Sequence, residues 1–205
     1  TFSEILGKYL KKKKKFRKKI VLIGCKALFE DQLSKLKIPI KLKEIKNLSQ
    51  AKSSSISIFN IQLKYKKVFD KISIKSNNYI ERCFTKSLKL INSIKDQSVL
   101  INGPISKKHF LKKKFLGVTE YLSKRTNSKN EVMLIYNNSI SVSPLTTHIP
   151  LKYVSKYITK ENLANSVLKI NYFYHNTLKK KPRFAILGLN PHCETVDKFS
   201  EEEKI

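Results

Sequence analysis

Ile20-Val21-Leu22-Ile23-Gly24-Cys25-Lys26-Ala27-Leu28-Phe29 is the stretch that decides the fold class. Ile20 to Gly24 is a short apolar run bounded by lysines and a glycine, which predicts a buried strand. Ala27 to Leu36 then carries a helical pattern. Upstream, Ser3, Glu4, Ile5, Leu6 and Leu10 mark the opening of an amphipathic helix. Downstream, residues 48–74 predict a loop around Ser53, Ser54 and Ser55 followed by one or two strands. Ser76 is placed to cap the next helix, in which Ile80, Cys83, Phe84, Leu88, Ile91 and Ile94 recur at helical spacing and predict one buried stripe.

Further along, Ser98 to Ile101 predicts a compact strand that ends in Asn102-Gly103-Pro104-Ile105-Ser106-Lys107, where glycine and proline force a loop. Val132 to Tyr136 and Ser139 to Leu145 flank Asn137 and Asn138, a pair that tolerates positive φ and predicts a tight hairpin. Thr146, Thr147 and His148 follow. Thr159 is placed to cap a long helix through Leu163, Val167, Ile170, Phe173 and Tyr174, and Phe184 to Leu187 predicts another buried strand leading into Gly188-Leu189-Asn190-Pro191-His192. No internal repeat is visible. Alternating strands and helices predict an α/β fold with a largely parallel or mixed sheet covered on both faces, and such sheets bind ligands beyond the carboxyl ends of their strands. If those strands lie side by side, the loops after Ile101, Leu145 and Leu187 meet on one rim.

The 205 residues carry a formal charge of +28 with 40% hydrophobic content, enough to build a core and, taken alone, suggestive of nucleic acid or an anionic membrane. Only Arg17, Arg82, Arg125 and Arg183 are arginines, whereas sites that read phosphate or guanine favour the flat bidentate guanidinium. Lysine, asparagine and isoleucine are abundant throughout, which fits a general drift of composition better than a concentrated patch. The run Lys11 to Lys19, broken only by Phe16 and Arg17, is either a phosphate-binding strip or a solvated helix end complementing the helix dipole. Cys25, Cys83 and Cys193 stand too far apart for a disulfide scaffold or zinc knuckle and suggest a reducing, cytoplasmic setting. No apolar stretch approaches the roughly 20 residues that span a bilayer, and no signal-peptide pattern opens the chain.

Both ends look cut. Thr1 leads straight into the first helix, and Ser200 with Glu203 forms a capping box for a helix that the sequence does not continue. The chain is therefore read as an internal fragment.

Candidate chemistry gathers on the expected rim. His148 and His192 each sit just past a predicted strand, in loops stiffened by proline. Two neutral imidazoles held this way can ligate a divalent metal; alternatively, each hydrogen-bonds a loop carbonyl. A catalytic metal normally takes three protein ligands, so a third lies elsewhere or does not exist. His109 and His175 are read as surface residues. Thr119 and Glu120 after Gly117 either meet a polar substrate or cap the helix containing Tyr121 and Leu122, and local pattern favours capping. Lys107 can hold a phosphate or carboxylate, though one lysine among dozens carries little weight.

Asn-Gly-Pro-Ile-Ser-Lys at 102–107, Gly-Val-Thr-Glu-Tyr-Leu at 117–122, Thr-Thr-His-Ile-Pro-Leu at 146–151 and Gly-Leu-Asn-Pro-His at 188–192 resemble the 4-hydroxythreonine-4-phosphate dehydrogenase family in order and spacing. Ser3-Glu4-Ile5 looks like the end of that family's N-terminal motif, and the terminal Ser-Glu-Glu-Glu-Lys-Ile like the helix after its second metal histidine. The resemblance implies a three-layer α/β/α, isocitrate/isopropylmalate dehydrogenase-like subunit of two domains, of which residues 1–205 are an incomplete portion with an uncertain internal boundary. It implies a homodimer with a site between domains, and oxidation of 4-phosphohydroxy-L-threonine by NAD (or NADP), with loss of carbon dioxide to give 3-amino-2-oxopropyl phosphate in vitamin B6 synthesis. Carried over residue by residue, His148 and His192 become ligands to a divalent metal (zinc, magnesium or cobalt), and Thr119 a substrate contact, with Lys107 beside it.

Two departures bear on substrate. Val118 stands where the family usually has histidine, and Ser106 where histidine often precedes the lysine equivalent to Lys107. The third metal histidine and much of the NAD site fall outside the residues matched, so the fragment alone is expected to be inactive. Three alternatives stay open: a dehydrogenase of another phosphorylated hydroxy acid such as a phosphothreonate, a catalytically dead relative, and a basic RNA-binding protein with steeply salt-dependent affinity.

Overall fold

The computed structural model of the chain describes residues 2–12, 18–71, 73–94, 98–111, 114–129 and 131–190, which divide into two compact units, Thr1–Gly117 and Val118–Ile205. In the first unit, the opening amphipathic pattern forms helix α1 (Phe2–Lys12), with Ser3, Gly7 and Leu10 buried. The apolar run forms strand β1 (Val21–Gly24), and helix α2 (Lys26–Lys35) follows it directly. Strands β2 (Leu42–Glu44) and β3 (Ile56–Asn60) complete a sheet of order β1-β3-β2 in which both pairings are parallel. Helix α3 (Asn77–Ser93) then returns across the sheet.

The alternation of side chains along the strands sorts the core into two layers. On one face, Leu22, Leu42, Ile56 and Ile58 pack with Leu10 of α1, and Phe2, Leu6 and Phe29 join from α1 and α2. On the other, Phe59 packs with Ile45 and Ala51, joined by Val21, Ile23 and Leu90 of α3. The expected three-layer α/β/α arrangement is therefore present, with β3 at its centre. Ile58 is fully buried, and a side chain of that size withdrawn from water contributes about 1.5–3 kcal/mol.

The end of α2 shows how these layers close. Lys37 adopts a left-handed backbone (φ 53°), its N–H reaches Ser34 O at 2.9 Å, and Ile38 N–H reaches Leu33 O at 2.9 Å, the paired bonds of a Schellman turn. Leu33 and Ile38 are both buried there, and Gly7 lets α1 approach them: a Cβ at that position would lie 3.2 Å from Leu33 Cδ2.

Several local expectations are corrected. Residues 98–101 form no strand and pair with neither outer edge of the sheet; Val99 is 78% and Ile101 76% exposed. Ser76 does not cap α3, since a 3-10 turn (Ile74–Ser76) runs into the helix and Ser76 Oγ donates to Ser73 O at 3.0 Å instead. In the expected stripe of α3 Phe84 is buried, while the other apolar members are half-buried.

The second unit is thinly packed, with Tyr121 its buried hydrophobic residue among those described. It contains α4 (Val118–Thr126), α5 (Val154–Tyr157) and α6 (Lys160–Phe173). Thr159 caps α6 as expected, its Oγ1 accepting from Asn162 N at 3.2 Å. The expected hairpin reduces to one antiparallel bridge, Ile135 with Val142. Neither Asn137 nor Asn138 has positive φ; the turn is closed by Asn137 Oδ1 accepting from Ser139 N at 3.0 Å. Residues 184–187 are not a strand either, and Leu187 is 88% exposed. With strands absent at 98–101 and 184–187, the argument from strand ends to a shared rim falls away.

Candidate functional site

The loop 102–106 leads into a π-helical turn, Lys107–Leu111, that is anchored at several points. Leu111 is buried, Phe110 stacks on Phe84 of α3 with ring centroids 5.9 Å apart, and Asn77 Nδ2 donates to His109 O at 2.8 Å. Lys107 and Lys108 are exposed on this turn, free of the core that holds it. His109, expected at the surface, is half-buried, with Nδ1 2.8 Å from Ser106 Oγ. That pairing fixes the ring and directs hydrogen bonding through Nδ1, so Nε2 is the nitrogen left to meet a ligand. The i, i+3 spacing of Ser106 and His109 was the available sequence signal. Two ammonium groups and a positioned imidazole on one anchored turn suit an anion such as a phosphate monoester.

Thr119, in the second unit, lies in the first turn of α4 and is exposed. It sits inside the helix, so the capping role favoured from local pattern is not the one it performs. Glu120 beside it, also in the first turn, is half-buried, and its Oε2 is buried with no hydrogen-bond partner. A carboxylate near a helix N-terminus is favoured by the helix dipole, and a buried oxygen without a partner is a group ready to accept a bond.

His148 is exposed, and its backbone is left-handed at φ 57°. A non-glycine residue in this region stores strain that the surrounding structure must hold, and such outliers concentrate at functional positions. The neighbouring ribbon is braced: Ser143 Oγ donates to Met133 O at 2.7 Å, and Tyr174 OH donates to Ser141 Oγ at 2.8 Å. Pro150 then starts the 3-10 turn Leu151–Tyr153. An exposed imidazole on a backbone so constrained fits a ligand to a borderline divalent cation. Among the described residues no group of three or more His, Cys, Asp or Glu could hold a metal, and His192 and Cys193 lie outside the described residues. His175 is exposed, as expected.

Away from these turns, Tyr79, Cys25 and Cys83 cluster beyond β1. Burial, the neighbouring Cys83 and their hydrogen bond push the Tyr79 phenol well above its ordinary range. Burial pushes the Cys83 thiol up to about 11. Cys25 and Cys83 are free thiols, and burial keeps the Cys83 thiol protonated and inert.

Comparison with known proteins agrees with the motif pattern. A 4-hydroxythreonine-4-phosphate dehydrogenase of Sulfurihydrogenibium is 31% identical over 98% of this chain and 63% of its own length. The Colwellia psychrerythraea protein of the same name is 29% identical over 90% of this chain and 58% of its own length. This chain thus spans about three fifths of these relatives. In fold it is similar to a solved Salmonella typhimurium structure described as a candidate 4-hydroxythreonine-4-phosphate dehydrogenase (TM-score 0.76, 23% identity, 94% of this chain and 61% of that one). It is likewise similar to a Klebsiella pneumoniae 4-hydroxythreonine-4-phosphate dehydrogenase (TM-score 0.68, 20% identity, 84% of this chain and 55% of that one). The model of the pyridoxal phosphate biosynthetic protein PdxA matches residues 16–205, and with it the motifs at 102–107, 117–122, 146–151 and 188–192 all fall within one family pattern: the chain belongs to the PdxA family.

Proposed function

We propose that this chain supplies part of the active site of an NAD-dependent 4-hydroxythreonine-4-phosphate dehydrogenase that works as a homodimer in the cytoplasm and feeds pyridoxal phosphate synthesis. The observation that carries this reading is the family match over residues 16–205, which includes every residue assigned a role below.

Lys107, exposed on its anchored turn, binds the phosphate or carboxylate of the substrate as a point charge. Thr119, exposed in the first turn of α4, donates or accepts a hydrogen bond at a polar group of substrate. His148 and His192 hold a divalent cation through neutral imidazole nitrogens, His148 presenting its exposed ring from a left-handed backbone position. A cation held by His148 and His192 would supply positive charge where negative charge develops on the substrate during oxidation and decarboxylation, with NAD as the hydride acceptor. The protein's own contribution is orientation and electrostatics.

Val118 supports a second reading. An isopropyl group can neither donate a hydrogen bond nor carry charge, and Ser106 is shorter than an imidazole, so a site built on these residues suits a differently substituted substrate, such as a phosphothreonate with a hydroxyl in place of the ammonium. Reduction of NAD by the full-length protein, measured with 4-phosphohydroxy-L-threonine and with phosphothreonate side by side, decides the matter. Turnover of the first at the higher kcat/KM supports the lead reading. Preference for the second transfers the site to the sister reaction, and no turnover of either removes the dehydrogenase.

A further inference from the structure

Gly103 lies in the loop that delivers Ser106 and Lys107, and the space where its side chain would stand is filled. A Cβ built on Gly103 meets Phe2 Cδ2 and Cγ at 2.8 Å and Phe2 Cβ at 2.9 Å. These are atoms at the root of the phenylalanine side chain, which cannot swing away as a chain end can. The ring is also held from behind: Phe2 meets Phe29 edge-on with centroids 6.0 Å apart, and packs on the cluster of Leu10, Leu22, Leu42, Ile56 and Ile58. Glycine is required at 103 by close approach; no glycine among the described residues has positive φ. Elsewhere this loop has little to fix it, since Val99 and Ile101 before it are exposed and residues 98–101 form no strand. Its far end is tied down by Asn77, Phe84 and the burial of Leu111, which leaves the near end to the Phe2 contact.

We propose that the packing of Phe2 against Gly103 positions the loop 102–107, making Phe2 a positioning residue for the anion site formed by Ser106, Lys107 and His109. The proposal rests on the reading of Lys107 as a phosphate contact. Phe2 touches no ligand in this account; it sets the height at which the loop leaves the sheet layer, and with it where the Lys107 ammonium stands relative to the Ser106 and His109 pair. A packed core changes position in discrete steps, so a methyl group forced between the ring and the loop displaces the loop and leaves the better-anchored ring where it is.

The test is a double-mutant cycle on the full chain with inorganic phosphate as the probe, read by calorimetric titration, together with hydrogen exchange at the amides of residues 105–109 and a melting curve for each variant. Gly103→Ala is expected to weaken phosphate binding about tenfold and speed exchange at those amides, while in a Phe2→Ala background the same change costs markedly less, because two of the three close atoms, Cγ and Cδ2, are gone. In the enzyme assay Gly103→Ala raises KM for the phosphorylated substrate far more than it lowers kcat. Should Phe2→Ala unfold, the affinity and exchange of Gly103→Ala alone, set against its melting curve, decide the matter. Equal loss from Gly103→Ala in both backgrounds, or a lowered melting temperature with unchanged affinity and unchanged exchange at residues 105–109, overturns the proposal. Absence of phosphate binding in the unmodified chain removes Lys107 as a phosphate contact; the positioning claim is then decided by whether Phe2→Ala reverses the exchange effect of Gly103→Ala.

Discussion

The phenol oxygen of Tyr79 accepts the backbone N–H of Cys25 at 2.9 Å, joining the first turn of α3 to the residue that follows β1. Cys25 is buried, so this N–H has no water to fall back on. Tyr79→Phe leaves the N–H unsatisfied and is expected to destabilise the first unit by about 1–3 kcal/mol, measured by urea unfolding. Unchanged stability in that variant means that the bond contributes nothing.

The same cluster sets an alkaline limit. Burial raises the Cys83 thiol from an ordinary value of 9.0 to about 11, so between those values the unfolded chain has lost a proton that the folded chain keeps. Stability contributed by the protonated thiol is complete below about pH 9 and declines as pH rises toward 11. Melting temperature should fall through that window, and Cys83→Ala should lessen the fall, to which the raised phenols of Tyr65 and Tyr79 add from about pH 10 upward. A slope unaltered by Cys83→Ala contradicts this.

Two hydroxyls at helix starts behave differently. Thr159 Oγ1 accepts from Asn162 N, whereas Ser76 Oγ donates to Ser73 O. Thr159→Ala should therefore cost about 1 kcal/mol and raise hydrogen exchange in the first turn of α6, while Ser76→Ala should fall well short of that. Equal costs would show that capping does not separate them.

His148 carries left-handed strain at φ 57°. Glycine tolerates that backbone and alanine does not, so His148→Gly should be more stable than His148→Ala by about 1 kcal/mol in thermal unfolding. The reverse order would mean that the loop relaxes once the imidazole is removed.

Which parts of the fold were legible follows from where the determining interactions lie. β1 and α2 could be read because an apolar run and a helical pattern adjoin within a few residues, and Thr159 because a cap is a local device. β2 was missed: Leu42-Lys43-Glu44 is short and two-thirds charged, and only pairing with β3 makes it a strand. The opposite error occurred at Ser98–Ile101 and Phe184–Leu187, where apolar sequence predicted strands but, among the described residues, neither segment pairs with another strand. At the site, His148 could be proposed from its neighbours, but its left-handed backbone could not, since that conformation is usually signalled by glycine or asparagine. The Ser106 and His109 pair offered only its i, i+3 spacing, which does not announce a π-helical turn, and the Phe2 contact with Gly103 joins residues far apart in the sequence.

Metal stoichiometry tests the central claim most directly. The full chain, its His148→Ala and His192→Ala variants and the double variant are stripped, reloaded with zinc, magnesium or cobalt, dialysed and assayed for bound metal by emission spectrometry. The account predicts one tightly held ion per chain in the unmodified protein, lost from either single variant with no further loss in the double. Metal content unchanged by either substitution, or lost by halves that add, contradicts a single ion shared by the two imidazoles.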